Sequence, residues 1–96
     1  MKNNVEESIV FEIKVRLEGD DEIWYGLVRH NVGDFQDIAG VGYSIQIKSH
    51  IQEGSEYIFL EDVSREYEEG VELITEFAKN TVTPESAIYI MEDLFT

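Results

Sequence analysis

The spacing of the apolar residues in this chain changes once, close to residue 61. Before that point they alternate with polar residues, which is the period of a half-buried β-strand. After it they recur every three or four residues, which is the period of an amphipathic helix. A run of strands followed by helices is typical of an α+β domain. The sequence therefore predicts an antiparallel meander of four strands, with a fifth left open, and two C-terminal helices packed on one sheet face.

Four segments show the strand pattern, separated by glycine-containing or polar stretches. The predicted strands are 8–17, 22–30, 43–49 and 57–60, joined by turns at 18–21 and 52–55 and by a loop at 31–42 that allows a short strand at 35–38. The second strand is apolar on both faces, since Trp24 lies between Ile23 and Tyr25. This pattern indicates that the strand is central, or that Trp24 covers the surface of a ligand or partner.

Alternation also predicts which side chains point toward the helices. In the first strand these are Ile9, Phe11, Ile13, Val15 and Leu17. In the third strand they are Tyr43, Ile45 and Ile47, with Ser44, Gln46 and Lys48 pointing outward. The strand aromatics are interpreted mainly as core, because each of them buries a large apolar area.

The first predicted helix has one apolar face and one acidic face. Its apolar positions are Tyr67, Val71, Ile74, Phe77 and Ala78, and the opposite face carries Glu66, Glu69, Glu72, Glu76 and Lys79. Asp62 or Ser64 is predicted to cap its start, and Asn80 to end it in the left-handed conformation. Gly70 costs a helix only about 1 kcal/mol relative to alanine, which favours a tolerated defect over a close approach to a strand.

A second, shorter helix is predicted to begin at Thr83 and Pro84. Threonine is a good N-cap, and proline fits the first helical position because its missing N–H is not needed there. The predicted apolar face consists of Ala87, Ile88, Met91, Leu94 and Phe95.

Two motifs resemble a family of short uncharacterised proteins from clostridia and related bacteria, a domain of unknown function. One is Tyr25-Gly26-Leu27 in the second strand, a tyrosine, a glycine and an aliphatic residue. The other is a helix followed by the junction Asn80-Thr81-Val82-Thr83-Pro84 and a short helix that ends in Glu92-Asp93-Leu94-Phe95. The chain departs from the family pattern at 31–42, which is longer and richer in glycine. The resemblance supports the fold and implies no activity.

Size and composition predict one cytoplasmic domain over residues 1–96, with 1–7 disordered. The 96 residues include no cysteine, which excludes a disulfide framework and a thiol nucleophile. The first residues of the sequence have no apolar run after the first lysine, so neither a signal peptide nor a membrane anchor is expected.

Negative charge is the outlying property of the composition. The chain has 21 acidic and 7 basic residues, a formal net charge of −14. Residues 1–52 carry 9 acidic and 5 basic residues, net −4, and residues 53–96 carry 12 and 2, net −10. Such a field repels nucleic acid and anionic membranes, so we expect no direct binding to either. The simplest interpretation of the excess charge is solubility.

No motif predicts catalysis. His30 and His50 end different strands, and two histidines are too few for a metal site unless other ligands join them. The carboxylates of residues 18–22 could hold calcium loosely, but their spacing is not that of a calcium-binding loop. Nucleophile, dinucleotide and phosphate-binding motifs are all missing. The sequence therefore predicts a protein that is not an enzyme and has no cofactor, with a pocket around a histidine and a carboxylate as the exception to look for.

Two functional hypotheses remain. The first is a small non-catalytic domain that binds a protein partner, or a second copy of itself, through its open sheet face or an edge strand. The second is an acidic inhibitor that mimics nucleic acid and occupies the basic groove of a DNA-binding enzyme. The residues predicted to contact a partner are the strand aromatics Trp24 and Tyr25 and the helix carboxylates Glu69, Glu72 and Glu76.

Overall fold

Four strands and two helices make up the part of the chain that the computed structural model describes, residues 8–32 and 40–94. In chain order the elements are β1 (Ser8–Arg16), β2 (Glu22–Val32), β3 (Gly40–Ile51), β4 (Gly54–Ser64), α1 (Tyr67–Lys79) and α2 (Pro84–Leu94). The strands form one antiparallel sheet in the order β1-β2-β3-β4, and both helices pack on one of its faces. The predicted α+β meander is confirmed, with four strands among the described residues.

The core lies between the sheet and the helices. Its centre is formed by the fully buried Ile23, Tyr25 and Leu27 of β2, which is an inner strand of the sheet as its apolar composition predicts. The remaining buried apolar side chains come from β3, the helices and the junction between them: Tyr43, Ile45, Ile47, Ile74, Phe77, Val82, Ala87 and Met91. The predicted inward set of the third strand is confirmed.

The inner strands are longer than the alternation pattern predicts. β2 and β3 pair as far as Val32 and Gly40, so they occupy much of the predicted 31–42 loop. β3 and β4 meet at a two-residue turn in which Gln52 and Glu53 have φ of 53° and 67°. Two consecutive residues with positive φ match the twist of a hairpin, and Gly54 therefore already belongs to β4. The short strand predicted at 35–38 and the disorder predicted for 1–7 lie outside the described residues.

Two irregularities interrupt the strand pairing, and the first of them overturns a predicted orientation. The β1–β2 register shifts between Ile9 and Phe11, so Ile9 pairs with Val28 and points away from the helices. The β3–β4 register shifts opposite Ser44, where Asp62 has a φ of 55°. Ser44 points away from the helices as predicted, but it is fully buried, and its hydroxyl accepts a hydrogen bond of 2.8 Å from the Asp62 N–H.

The start of α1 differs from the prediction because β4 continues through Asp62 to Ser64. Neither residue is the N-cap; that position is Glu66, whose side chain makes no capping hydrogen bond. The Ser64 hydroxyl instead accepts a hydrogen bond of 3.0 Å from the Glu66 N–H and donates one of 2.8 Å to Glu69 Oε1. Ser64 therefore orders the turn that leads into the helix.

Helix α1 faces the sheet through Gly70, Ile74 and Phe77, which are buried, while Tyr67 is 43% exposed. A Cβ atom on Gly70 would lie 2.7 Å from Leu27 Cδ1, closer than carbon atoms approach. The interpretation of Gly70 as a tolerated defect is wrong: the glycine allows α1 to approach β2 closely.

The junction between the helices is a Schellman motif, in which two backbone hydrogen bonds close the end of a helix. The Val82 N–H donates to the Phe77 carbonyl over 2.9 Å, and the Thr81 N–H donates to the Ala78 carbonyl over 3.2 Å. The left-handed residue is Thr81, with a φ of 52°, and not Asn80 as predicted.

Helix α2 begins as predicted. The Thr83 hydroxyl accepts a hydrogen bond of 3.2 Å from the Ser86 N–H, and Pro84 is the first helical residue. Ala87 and Met91 are buried, but Ile88 is 43% exposed, so its assignment to the core is wrong. Phe95 lies outside the described residues, as does the side chain of Leu94.

Candidate functional site

The sheet face that turns away from α1 and α2 carries a row of cationic and aromatic side chains. Cross-strand pairing places Lys14, Trp24, Lys48 and Tyr57 side by side across all four strands. The two flanking rows are Glu12, Gly26, Gln46 and Phe59 on one side and Arg16, Glu22, His50 and Ser55 on the other. We call these three rows the outer face.

Trp24 is held in place by three neighbours on the outer face. Its indole lies over Gly26, because a Cβ atom there would be 2.7 Å from the ring atom Cζ2. The indole N–H donates a hydrogen bond of 2.5 Å to Glu12 Oε1. Lys48 Nζ lies 4.8 Å from the ring centroid, within cation–π distance. These three contacts together orient the indole across Gly26.

Among the aromatic side chains of the outer face, the two on β4 are the most exposed to solvent. Tyr57 is 56% exposed and Phe59 is 36% exposed, which is high for large apolar side chains in a chain of this size. Tyr57 borders an open groove with Trp24 and Lys48. Aromatic residues of this kind are typical anchors of protein interfaces.

Tyr25 does not belong to this surface, although it is adjacent to Trp24 in sequence. It is fully buried on the helix side of the sheet, and its hydroxyl donates a hydrogen bond of 2.6 Å to the Val82 carbonyl. Burial raises the pKa of this hydroxyl from 10.0 to about 12. Tyr25 therefore joins the sheet to the helix junction and is excluded as a partner-binding residue in this fold.

The three predicted carboxylates lie on the other layer of the molecule. Glu69, Glu72 and Glu76 are exposed on α1 and line a groove whose apolar wall includes Leu73 and Met91. The sequence prediction grouped them with Trp24, but the fold separates them by the thickness of the sheet and helix layers. They form a second, distinct surface.

The two histidines do not come together. His30 pairs with Gly42, whereas His50 lies beside the β3–β4 turn, about 26 Å away along the sheet at 3.3 Å per residue. His30 Nε2 is 2.9 Å from the buried Ser44 hydroxyl, and His50 Nδ1 is 3.3 Å from the Ser55 hydroxyl. Each ring thus has a local structural contact. His50 and its cross-strand neighbour Glu22 also line the open groove of the outer face, so one histidine does share a pocket with a carboxylate.

The acidic turn between β1 and β2 has a structural contact as well. Asp21 Oδ1 accepts a hydrogen bond of 2.9 Å from the Gln52 N–H, which ties this turn to the β3–β4 turn. Within residues 8–32 and 40–94, no three His, Cys, Asp or Glu side chains are grouped closely enough to hold a metal ion.

Sequence reasoning missed a third surface, beside the edge of β4 that pairs with no other described strand and is called the free edge below. A groove between β4 and α2 is lined by Glu56, Tyr57, Ile58, Pro84, Glu85 and Ile88. The only sequence signal was the apolar Ile88, which the helical pattern assigned to the core.

A family model described as "Family of unknown function (DUF6514)" matches residues 6–96. The chain belongs to the DUF6514 family. The predicted resemblance to a family of unknown function is confirmed, while the clostridial origin and the two motifs stay predictions. No curated protein and no solved structure matches this DUF6514 chain. Among its described helices, none is long and apolar enough to cross a membrane.

Proposed function

We propose that this DUF6514 domain is a non-catalytic interaction domain that binds a protein partner, or a second copy of itself, through the outer face. The observation that carries the proposal is the row of Trp24, Lys48 and Tyr57, with Phe59 beside it, on a sheet face that neither described helix covers. Binding there would remove the exposed aromatic area of β4 from water.

Local charge supports an interface at this face. Its three rows contain three basic residues and two acidic ones, a net charge of +1 in a chain of −14. The basic residues are Lys14, Arg16 and Lys48, and the acidic ones are Glu12 and Glu22. A nearly neutral aromatic patch can meet a mixed protein surface without the repulsion that the rest of the molecule exerts on acidic partners.

The fixed orientation of Trp24 also favours binding. Ordering a flexible side chain at an interface costs about 0.5–1.5 kcal/mol. Glu12 and Gly26 already hold the indole in place. Trp24 can therefore serve as an anchor at little further entropic cost.

Two matched tyrosine variants test the proposal. Tyr57 and Tyr89 are exposed to a similar extent, 56% and 64%, but Tyr57 lies on the outer face and Tyr89 on α2. Light scattering coupled to size exclusion, at low and high salt, first establishes whether the wild type self-associates. If it does, we expect Tyr57→Ser to weaken the dimer at least tenfold and Tyr89→Ser to leave it unchanged.

For a monomeric wild type, the same pair is compared in quantitative capture from the native cell extract. We expect at least one captured protein to be lost with Tyr57→Ser and with Trp24→Ala but retained with Tyr89→Ser. Equal behaviour of Tyr57→Ser and Tyr89→Ser would refute the outer face as the interface.

Nucleic-acid mimicry is the second candidate, favoured by the carboxylate groove on α1. Glu69, Glu72 and Glu76 span about 10.5 Å of helix at 1.5 Å per residue, and their groove is lined by no basic side chain from residues 8–32 or 40–94. Binding to a basic nucleic-acid enzyme should weaken steeply with salt. It should also weaken in the double variant Glu72→Gln/Glu76→Gln. Absence of binding at low salt would eliminate this candidate.

A further inference from the structure

We propose that the free edge of β4 and the groove beside it bind an extended segment of a partner protein, in which basic residues flank an apolar one. The segment would add a fifth strand to the sheet. This inference rests on the proposed function, because Tyr57 and Phe59 of the outer face belong to the same edge strand.

The backbone of β4 offers hydrogen-bonding groups at this edge. A two-residue turn makes its flanking residues, Ile51 and Gly54, a hydrogen-bonded pair, and such pairs alternate along an antiparallel ladder. The N–H and C=O groups of Ser55, Tyr57 and Phe59 therefore point away from β3. β4 is the last strand of the sheet in the described part of the chain, so these groups have no strand partner there.

Side chains on both faces define what an added strand would meet. On the outer face its residues would lie beside Tyr57 and Phe59, whose rings favour β-branched neighbours. On the helix face they would lie over the groove of Ile58, Pro84 and Ile88. Since Ile88 is 43% exposed in the absence of a partner, an apolar side chain placed there removes it from water.

Charge selects a basic segment over a second copy of β4. The groove contains Glu56 and Glu85, and none of the described basic residues lines it. β4 itself contains Glu56, Glu61 and Asp62 and no lysine or arginine, so two β4 edges would repel each other. Lysine or arginine side chains at either end of the segment would instead meet the two groove carboxylates.

The length of the segment follows from the irregularity at Asp62. Positive φ and a shifted register there end the regular edge after Leu60. Residues 55–59 are left for pairing, so the segment needs about five residues in register. A matching probe is a capped peptide with Lys-Val-Ile-Val-Lys at its centre and threonine at both ends. Its valines face the aromatic rings, and its isoleucine and lysines face the groove.

Amide hydrogen exchange measured by NMR with this peptide tests the pairing directly. We expect the amides of Ser55, Tyr57 and Phe59 to exchange at least tenfold more slowly when the peptide is present. The amides of Glu56, Ile58 and Leu60 already point to β3, so their exchange should change less. Binding without selective protection of the outward amides would overturn strand addition, and so would no binding at millimolar peptide.

Two adjacent residues of α2 provide the matched variants. Ile88→Lys places a cation in the groove and should weaken peptide binding at least tenfold. Tyr89→Lys places the same charge on the adjacent, more exposed position, which does not line the groove, and should change binding less than twofold. A peptide with glutamate in place of both lysines should bind at least tenfold more weakly than the probe. If both lysine variants weakened binding equally, or if the two peptides bound equally well, the groove would be refuted as the binding site.

Trp24→Ala separates this proposal from the one on which it rests. The indole lies on β2, two strands away from the free edge, so the peptide should bind this variant as it binds the wild type. Peptide binding without any partner that depends on Trp24 would overturn the outer-face function alone. A partner that depends on Tyr57 and Trp24, without peptide binding, would overturn the edge site alone.

Discussion

Replacing Gly70 with alanine should destabilise this protein, although the same change stabilises an ordinary exposed helix. The helix gains about 1 kcal/mol of intrinsic propensity from the substitution. The new Cβ atom, however, would lie 2.7 Å from Leu27 Cδ1 and 3.0 Å from Cδ2. Carbon atoms prefer about 3.5–4.0 Å, so Leu27 must move by roughly 0.8 Å within a closely packed core.

The two effects have opposite signs, and their sizes decide the result. Overpacking a core costs about 1–3 kcal/mol. Taking the middle of that range and subtracting the gain in propensity leaves Gly70→Ala less stable by about 1 kcal/mol. Urea unfolding followed by circular dichroism measures this as a lower midpoint at an unchanged slope.

Two further variants make this reasoning refutable. Thr75→Ala, at an exposed position of the same helix, removes the hydrogen bond of 2.7 Å that the Thr75 hydroxyl donates to the Val71 carbonyl. Because such a bond to the preceding turn adds little to helix stability, the variant should still stabilise by a few tenths of a kcal/mol through propensity. Leu27→Ala alone should cost about 2–5 kcal/mol, and adding Gly70→Ala to it should cost less than in the wild type, because the clash has been removed. Stabilisation of the wild type by about 1 kcal/mol on Gly70→Ala would refute the close approach of α1 to β2.

Three other substitutions test hydrogen bonds and backbone geometry. Tyr25→Phe removes the donor to the Val82 carbonyl and should cost about 1–3 kcal/mol at pH 7 in urea unfolding. Because burial raises the Tyr25 pKa from 10.0 to about 12, the unfolded chain loses its proton first as pH rises. Wild-type stability should therefore fall between pH 10 and 12, by up to about 1.4 kcal/mol per pH unit, and Tyr25→Phe should lack this part of the fall. Thr81→Gly, at a φ of 52°, should raise the unfolding midpoint by the equivalent of about 1 kcal/mol, and a lower midpoint would contradict the left-handed assignment. Ser44→Ala leaves the Asp62 N–H without its acceptor and should cost about 1–3 kcal/mol; an unchanged urea midpoint would show that this hydrogen bond is not needed.

Alternation in the sequence predicted the sheet well wherever the pairing is regular. Tyr43, Ile45 and Ile47 face the helices as predicted, because a period of two fixes the face once one residue is placed. The predicted orientation of Ile9 was wrong because an extra residue in β1 reverses the face to which the side chain points. Only the pairing with the partner strand determines where such an extra residue lies. Local periodicity contains no information on such shifts.

The helices were placed correctly, but their contacts were not. The start of α2 could be predicted because Thr83 and Pro84 are local signals. The role of Gly70 could not be predicted from the sequence, because it depends on contact with Leu27, a residue distant in sequence. The exposure of Ile88 depends in the same way on where α2 lies relative to β4.

The candidate surfaces were predicted in part. Trp24 was singled out because the second strand is apolar on both faces, and the structure places it on the outer face. Tyr25 was grouped with it by type alone, although adjacent residues of a strand point to opposite faces. The carboxylates of α1 were correctly predicted to be exposed, but their separation from Trp24 depends on the layering of the fold.

Charge is distributed unevenly between the described helices and the outer face, and this difference contributes an electric dipole component roughly perpendicular to the sheet. The helices carry seven carboxylates and one basic side chain, net −6: Glu68, Glu69, Glu72, Glu76, Glu85, Glu92 and Asp93 against Lys79. The outer face has a net charge of +1. A macromolecule within a Debye length, about 8 Å at physiological ionic strength, exerts a torque on such a dipole. The domain should therefore turn its sheet toward acidic surfaces and its helices toward basic ones before any side chain makes contact.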